Sequence, residues 1–278
     1  MKVIECPRDA MQGFSKFIPT LSKISYINQL IKVGFDTIDF GSFVSSKIIP
    51  QLKDTEKVLD GLDLSPSNTK LLSIIANIRG AKKACQFDKI SYLGFPLSVS
   101  EEFQKRNTNM SINDALNVVT EIKDLVLQKN KEIVVYLSMA FGNPYNEAYN
   151  IDLVSELTYK LSKMGIKTIS LSDTIGISSP INIGLIFKRL IYNYPSIEFG
   201  AHFHTHPNNW NEKITAAYKN GCRRFDGVIN GFGGCPMADS HLIGNMPTEN
   251  IIDGFKNELD LNIEEFKKSL MFSKKLFK

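Results

Sequence analysis

Apolar positions along this chain repeat with two alternating periods. Short runs rich in Ile, Val, Leu and Phe, bounded by glycine or polar turns, read as buried strands. They fall at residues 3–6, 35–40, 70–76, 89–95, 133–139, 166–171, 197–204 and 222–228. Between them, apolar side chains recur every three or four residues, as on one face of a helix. Ile24, Ile27 and Ile31 make one such face, Ala115, Val119, Ile122 and Val126 a second, and Leu153, Leu157, Leu161 and Met164 a third. The punctuation agrees. Gly34, Gly165 and Gly221 stand where helices must stop, Ser111 with Asp114 forms a capping box, and Ser179-Pro180 opens a helix. This alternation predicts an α/β chain folded as a (β/α)8 TIM barrel. A doubly wound open sheet is the rival, weakened because no G-x-G-x-x-G follows the first strand. A faint internal echo supports repeated βα units: Gly34 before Asp39, Gly165 before Asp173, and Gly221 before Asp226.

The barrel is expected to occupy residues 1–278 as one catalytic domain, with a helical tail over about 251–278. In that tail Leu259, Ile263, Phe266 and Leu270 are placed on one face, and its lysines read as a solvated face rather than a membrane anchor. The 33 basic and 29 acidic side chains leave a formal charge of only +4, without a long block of one sign. Nucleic acid is therefore not an expected partner. No apolar run reaches the roughly 18 residues that a membrane-crossing helix needs. The N-terminal segment has no apolar signal core, and the four cysteines form no C-x-x-C pair. A soluble, reduced, cytoplasmic protein is the expectation.

All four histidines lie between positions 202 and 241, and His202 and His204 alternate within an apolar run. Side chains two apart on a strand share a face, so both imidazoles can meet one cation or pack as hydrogen-bonded core residues. Polar groups at strand C-terminal ends converge on the mouth of such a barrel. That rule collects Arg8, Asp9, Asp39, Ser138, Asp173, His202 and His204. One carboxylate and two imidazoles suit a divalent cation, with a fourth ligand from a loop. After the last strand, the glycines around Cys235 make either a plain turn or a loop that delivers a thiol to the mouth.

Several segments, in order, resemble the hydroxymethylglutaryl-CoA lyase family of metal-dependent barrel lyases and Claisen-type synthases. They are residues 5–12 (ECPRDAMQ), 42–47 (SFVSSK) with Pro50-Gln51, 170–176 (SLSDTIG), 231–236 (GFGGCP) and Gly244-Asn245. The resemblance implies cleavage of 3-hydroxy-3-methylglutaryl-CoA to acetoacetate and acetyl-CoA, with Mg²⁺ or Mn²⁺ held by Asp9, His202, His204 and Asn245. It places Arg8 against the thioester oxygen, Cys235 in proton traffic, and His202 and Asp39 as acid/base partners. Asp173 becomes a polar support of the catalytic set. Gln12, Ser138, Arg106 and Asn107 become substrate or coenzyme A contacts, the last two read as part of a basic loop. A homodimer is also implied. The chain departs from the family pattern in three places: Asp39 stands for glutamate, Thr205-His206 for Asp-Thr, and one extra residue separates Cys235 from Asn245. The alternatives are a relative that condenses acetyl-CoA with a 2-oxo acid, and a barrel that binds metal or acyl-CoA without turnover.

Overall fold

The structure, a computed structural model, describes residues 1–234 and 243–277. Eight parallel strands close into a barrel in chain order. They are β1 (Lys2–Glu5), β2 (Thr37–Ser42), β3 (Lys70–Ile74), β4 (Ile90–Ser98), β5 (Glu132–Ser138), β6 (Thr168–Asp173), β7 (Glu198–Phe203) and β8 (Arg224–Gly227). The helices are α1 (Pro7–Gln12), α2 (Thr20–Ile31), α3 (Thr55–Asp60), α4 (Ile78–Ala84), α5 (Glu101–Thr108), α6 (Ile112–Gln128), α7 (Ile151–Lys163), α8 (Pro180–Asn193), α9 (Trp210–Lys219), α10 (Thr248–Phe255) and α11 (Ile263–Leu276).

Strands of a parallel barrel are buried on both faces, one inside the barrel and one beneath the helices, so near-continuous apolar runs are what they require. β2 and β6 are buried at every position. The predicted caps form as read: Ser111 and Ser179 each complete a capping box, and Gly34, Gly165 and Gly221 adopt positive φ after α2, α7 and α9. The eight predicted strands all appear, with boundaries displaced by at most three residues.

Two local features build the mouth. Pro7 begins α1 directly after β1, because its ring pre-sets helical φ and its missing N–H is not needed there. Arg8, Asp9 and Gln12 therefore stand on a short helix, with Arg8 and Gln12 one turn apart. Parallel register then pairs His202 of β7 with Asp226 of β8 and with Ser172 of β6.

The tail differs from the sequence reading. It is two helices, α10 and α11, separated by residues 256–262, so Leu259 lies in the connection and Ile263 is 44% exposed. The side chain of Asn262 accepts from Glu265 N, starting a fresh helix, and its own N–H donates to Val33 O. α11 then packs on the α2 side of the barrel, with Phe266 against Phe35 and Phe272 against Tyr26. Among the described residues no helix is long and apolar enough to cross a membrane.

Candidate active site at the barrel mouth

Asp9 comes from α1, His202 from β7, His204 from just beyond it, and Asn245 from the chain returning to α10. The two imidazole centroids lie 5.8 Å apart. His202 Nε2 is 3.5 Å from Asp9 Oδ2. His204 and Asn245 face each other in an antiparallel bridge. Asn245 Nδ2 donates to Phe232 O at 2.9 Å, and among the described residues its Oδ1 has no hydrogen-bond partner. Asp9, His202, His204 and Asn245 thus come together from three parts of the barrel rim.

The donor set fits a divalent cation. Ligands about 2.0–2.1 Å from an octahedral ion lie roughly 3 Å apart in adjacent positions, so Asp9 Oδ2 and His202 Nε2 need close only slightly. Burial opposes the charge of Asp9, but Arg8 and His202 outweigh it and hold the carboxyl below its usual range. Burial and the neighbouring His202 push His204 down to about 4, leaving a neutral imidazole with a free lone pair. His202 is pushed up to about 10: burial acts against its charge, but hydrogen bonds to Asp226 and Asp9 prevail. Where a proton is held this strongly between two carboxylates, a cation can take its place at Nε2. A second grouping brings Cys6 Sγ, a His202 nitrogen and an Asp226 oxygen within 4.8 Å of one another. Burial holds the Cys6 thiol far above its usual value, and the nearby aspartates add to this. A neutral thiol is a poor ligand, so the Asp9–His204–Asn245 side is the better cation site.

Beside it, Arg8 is clamped. Its Nε and Nη2 donate to Asp39 Oδ2 at 2.9 and 2.6 Å, and Nη1 donates to Gln12 Oε1 at 2.8 Å. Gln12 Nε2 donates in turn to Asp9 Oδ1 at 2.7 Å. Burial pushes Asp39 up to about 6 against the pull of Arg8. Its Oδ1 is buried and has no hydrogen-bond partner among the described residues. One aspartate methylene shorter than glutamate still reaches the guanidinium.

A cleft opens over this set, walled by Arg8, Asp9, Gln12, His202 and His204 and, opposite, by Asn107, Tyr136 and Ser138. It continues outward past Val44, Ile48 and Arg106. Arg106 and Asn107 stand on helix α5, not on a loop: Ser100 caps that helix, and Glu101 and Glu102 in its first turn pair with Lys105 and Arg106 one turn on. Arg106 also lies over the Tyr145 ring at 4.7 Å, on the outer part of the cleft.

The remaining assignments divide. Asp173 does not line the cleft: it accepts from Ser178 and from Lys213 Nζ, the latter at 2.7 Å. His206 is exposed. Cys235 and His241 lie outside the described residues. The glycine stem before Cys235 rests on the donor set, since a Cβ on Gly233 would lie 2.7 Å from Asp9 O and 3.1 Å from Asn245 Nδ2. Sequence reading passed over Tyr136, Lys213 and Asp226. Asp226 did carry a signal, as the third aspartate of the internal echo. Tyr136 and Lys213 sit in ordinary strand and helix patterns and carried none.

A family model described as HMGL-like matches residues 5–265. The chain belongs to the HMGL-like family. It is 32% identical over 246 residues to a hydroxymethylglutaryl-CoA lyase of Bacillus subtilis, covering 88% of this chain and 81% of that one. It is 31% identical to the cytoplasmic human 3-hydroxy-3-methylglutaryl-CoA lyase, over 91% of this chain and 68% of that one. Among solved structures, an HMG-CoA lyase from A. baumannii, in complex with coenzyme A and 3-methylmalate, superposes with a TM-score of 0.91. That match has 30% identity and covers 100% of this chain and 91% of the other. The HMG-CoA lyase of B. subtilis superposes at 0.92 with 29% identity, over 99% and 93%. Members of this family from distant sources thus share the eight-stranded barrel around this mouth.

Proposed function

We propose that this protein is a divalent-metal-dependent lyase that cleaves 3-hydroxy-3-methylglutaryl-CoA to acetoacetate and acetyl-CoA. The observation that carries the reading is the convergence of Asp9, His202, His204 and Asn245 beside a clamped Arg8 at the floor of one open cleft. Asp9, His202, His204 and Asn245 hold Mg²⁺ or Mn²⁺. Bound there, the cation supplies Lewis-acid polarisation of the substrate's oxygens. Arg8, fixed by Asp39 and Gln12, presents a permanent positive charge where negative charge grows on the thioester oxygen as the carbon–carbon bond breaks. The tertiary hydroxyl gives up a proton and becomes the ketone of acetoacetate, while the departing carbon takes one to become the methyl of acetyl-CoA. Asp39, buried behind Arg8 and not among the cleft-lining residues, acts through that guanidinium, which it holds in place. Cys235, which follows the glycines that rest on Asp9, serves the protonation of the departing carbon. Asn107, Ser138 and, further out, Arg106 line the path of the acyl-CoA.

The test is a coupled assay of purified, metal-stripped protein on 3-hydroxy-3-methylglutaryl-CoA, with and without Mg²⁺ or Mn²⁺. Release of both products only with added metal is expected. Intact metal binding without cleavage would overturn the lyase and point to condensation of acetyl-CoA with a 2-oxo acid.

A further inference from the structure

We infer that Asp226 is a positioning residue that fixes which nitrogen of His202 is offered to the cation. The proposal rests on the metal site described above. Asp226 lies on β8, in register with His202 on β7, and is 3% exposed. Its Oδ2 is 3.1 Å from His202 Nδ1. A carboxylate only accepts, so the ring must donate from Nδ1; once a cation replaces the proton between Nε2 and Asp9, Nε2 offers its lone pair to it. Ser170 Oγ donates to the same oxygen at 3.3 Å, holding the carboxylate in place from β6.

The ring is restrained elsewhere too. Tyr136 meets it edge to face, with centroids 5.6 Å apart. Asp226 does not line the cleft, so it acts through His202 and not on substrate. A ligating histidine whose distal N–H is held by a carboxylate is more basic and keeps one ring orientation, and losing such a partner typically weakens metal binding 10–100-fold.

Two variants separate charge from acceptor. Asp226→Asn keeps an acceptor but loses the charge, and Asp226→Leu loses both. Mn²⁺ titration of metal-stripped protein, followed by electron paramagnetic resonance, should show Kd raised about 10–100-fold in Asp226→Leu, with Asp226→Asn between it and the parent. Nitrogen-15 spectra of the imidazoles in the Mg²⁺-loaded protein, tractable with only four histidines, should show His202 protonated at Nδ1 alone in the parent and mixed in Asp226→Leu. Circular dichroism and urea midpoints check folding; if the leucine variant fails to fold, the asparagine variant carries the test. Unchanged Mn²⁺ affinity with an unchanged His202 tautomer would overturn the proposal. Neither readout needs substrate, so a lyase assay that fails leaves this inference standing. A parent protein that binds no Mn²⁺ would sink the metal reading and overturn this inference with it.

Discussion

The barrel rim holds two buried charge clusters that differ in one respect. Around Lys213, every valence is closed. Its ammonium, 0% exposed, donates to Asp173 Oδ2, Gly176 O and His204 O at 2.7, 2.9 and 3.0 Å, and Asp173 accepts from Ser178 as well. Around His202, valences stay open among the described residues: Asp39 Oδ1 and Asp226 Oδ1 are buried without partners, and Asn245 Oδ1 has none. A buried charge with all its partners supplied by protein is a brace. One whose partners run out at a cleft wall is built to meet something else. Asp39 and Asp173 look alike in sequence, each near the end of a strand, and this distinction separates them.

The comparison breaks or sharpens under mutation. The largest effect falls on the open cluster. Asp9→Asn or His204→Ala removes a donor, so Mn²⁺ binding should be lost. Turnover should fall on the order of a thousandfold, since Lewis-acid stabilisation is worth several kcal/mol. Equilibrium dialysis and steady-state kinetics check both. Full activity in metal-depleted Asp9→Asn would remove the open cluster from the chemistry.

In the closed cluster the loss should appear as stability. Lys213→Met leaves Asp173 buried without its cation and should lower unfolding free energy by about 3–5 kcal/mol, measured by urea denaturation at constant m. Asp39→Asn should do the reverse, lowering turnover with a much smaller change in stability. Equal stability losses in the two variants would erase the contrast between brace and site.

A smaller effect is expected away from the mouth. Glu5 accepts from Ile229 N and Thr248 Oγ1, which flank the glycine loop on either side, and burial pushes its carboxyl up to about 8 from 4.5. Between those values the folded protein binds a proton that the unfolded chain has released. Stability is therefore fullest below about pH 4.5 as far as Glu5 is concerned, and falls as pH rises towards 8, by at most about 1.4 kcal/mol per pH unit. Glu5→Gln should flatten that slope in urea titrations across the window. An unaltered slope would show that Glu5 is ionised in the folded state.

Much of this was legible from residues alone. The strand runs, the glycines Gly34, Gly165 and Gly221, and the caps Ser111 and Ser179 are local signals, because each is set by backbone conformation within a few residues. Period-two spacing placed His202 and His204 on one side for the same reason. The tail was misread at Leu259, because helical periodicity continues across a break that Asn262 and Val33 O impose. The residues around Arg106 read as a loop in sequence because the helix they occupy, α5, is mostly polar, with little apolar face to announce it.

The amino-acid pattern by itself determined the barrel, the order of its strands and the donor types near its mouth. Tertiary structure decided which donors stand together at the mouth, that Asp39 grips Arg8 while Asp173 grips Lys213, and that Asp226 stands behind His202. Those pairings join residues 24 to 40 positions apart. The register of β7 on β8 and the packing of α1 and α9 over the strand ends bring them within hydrogen-bond distance, and neither is written in any local stretch of the chain.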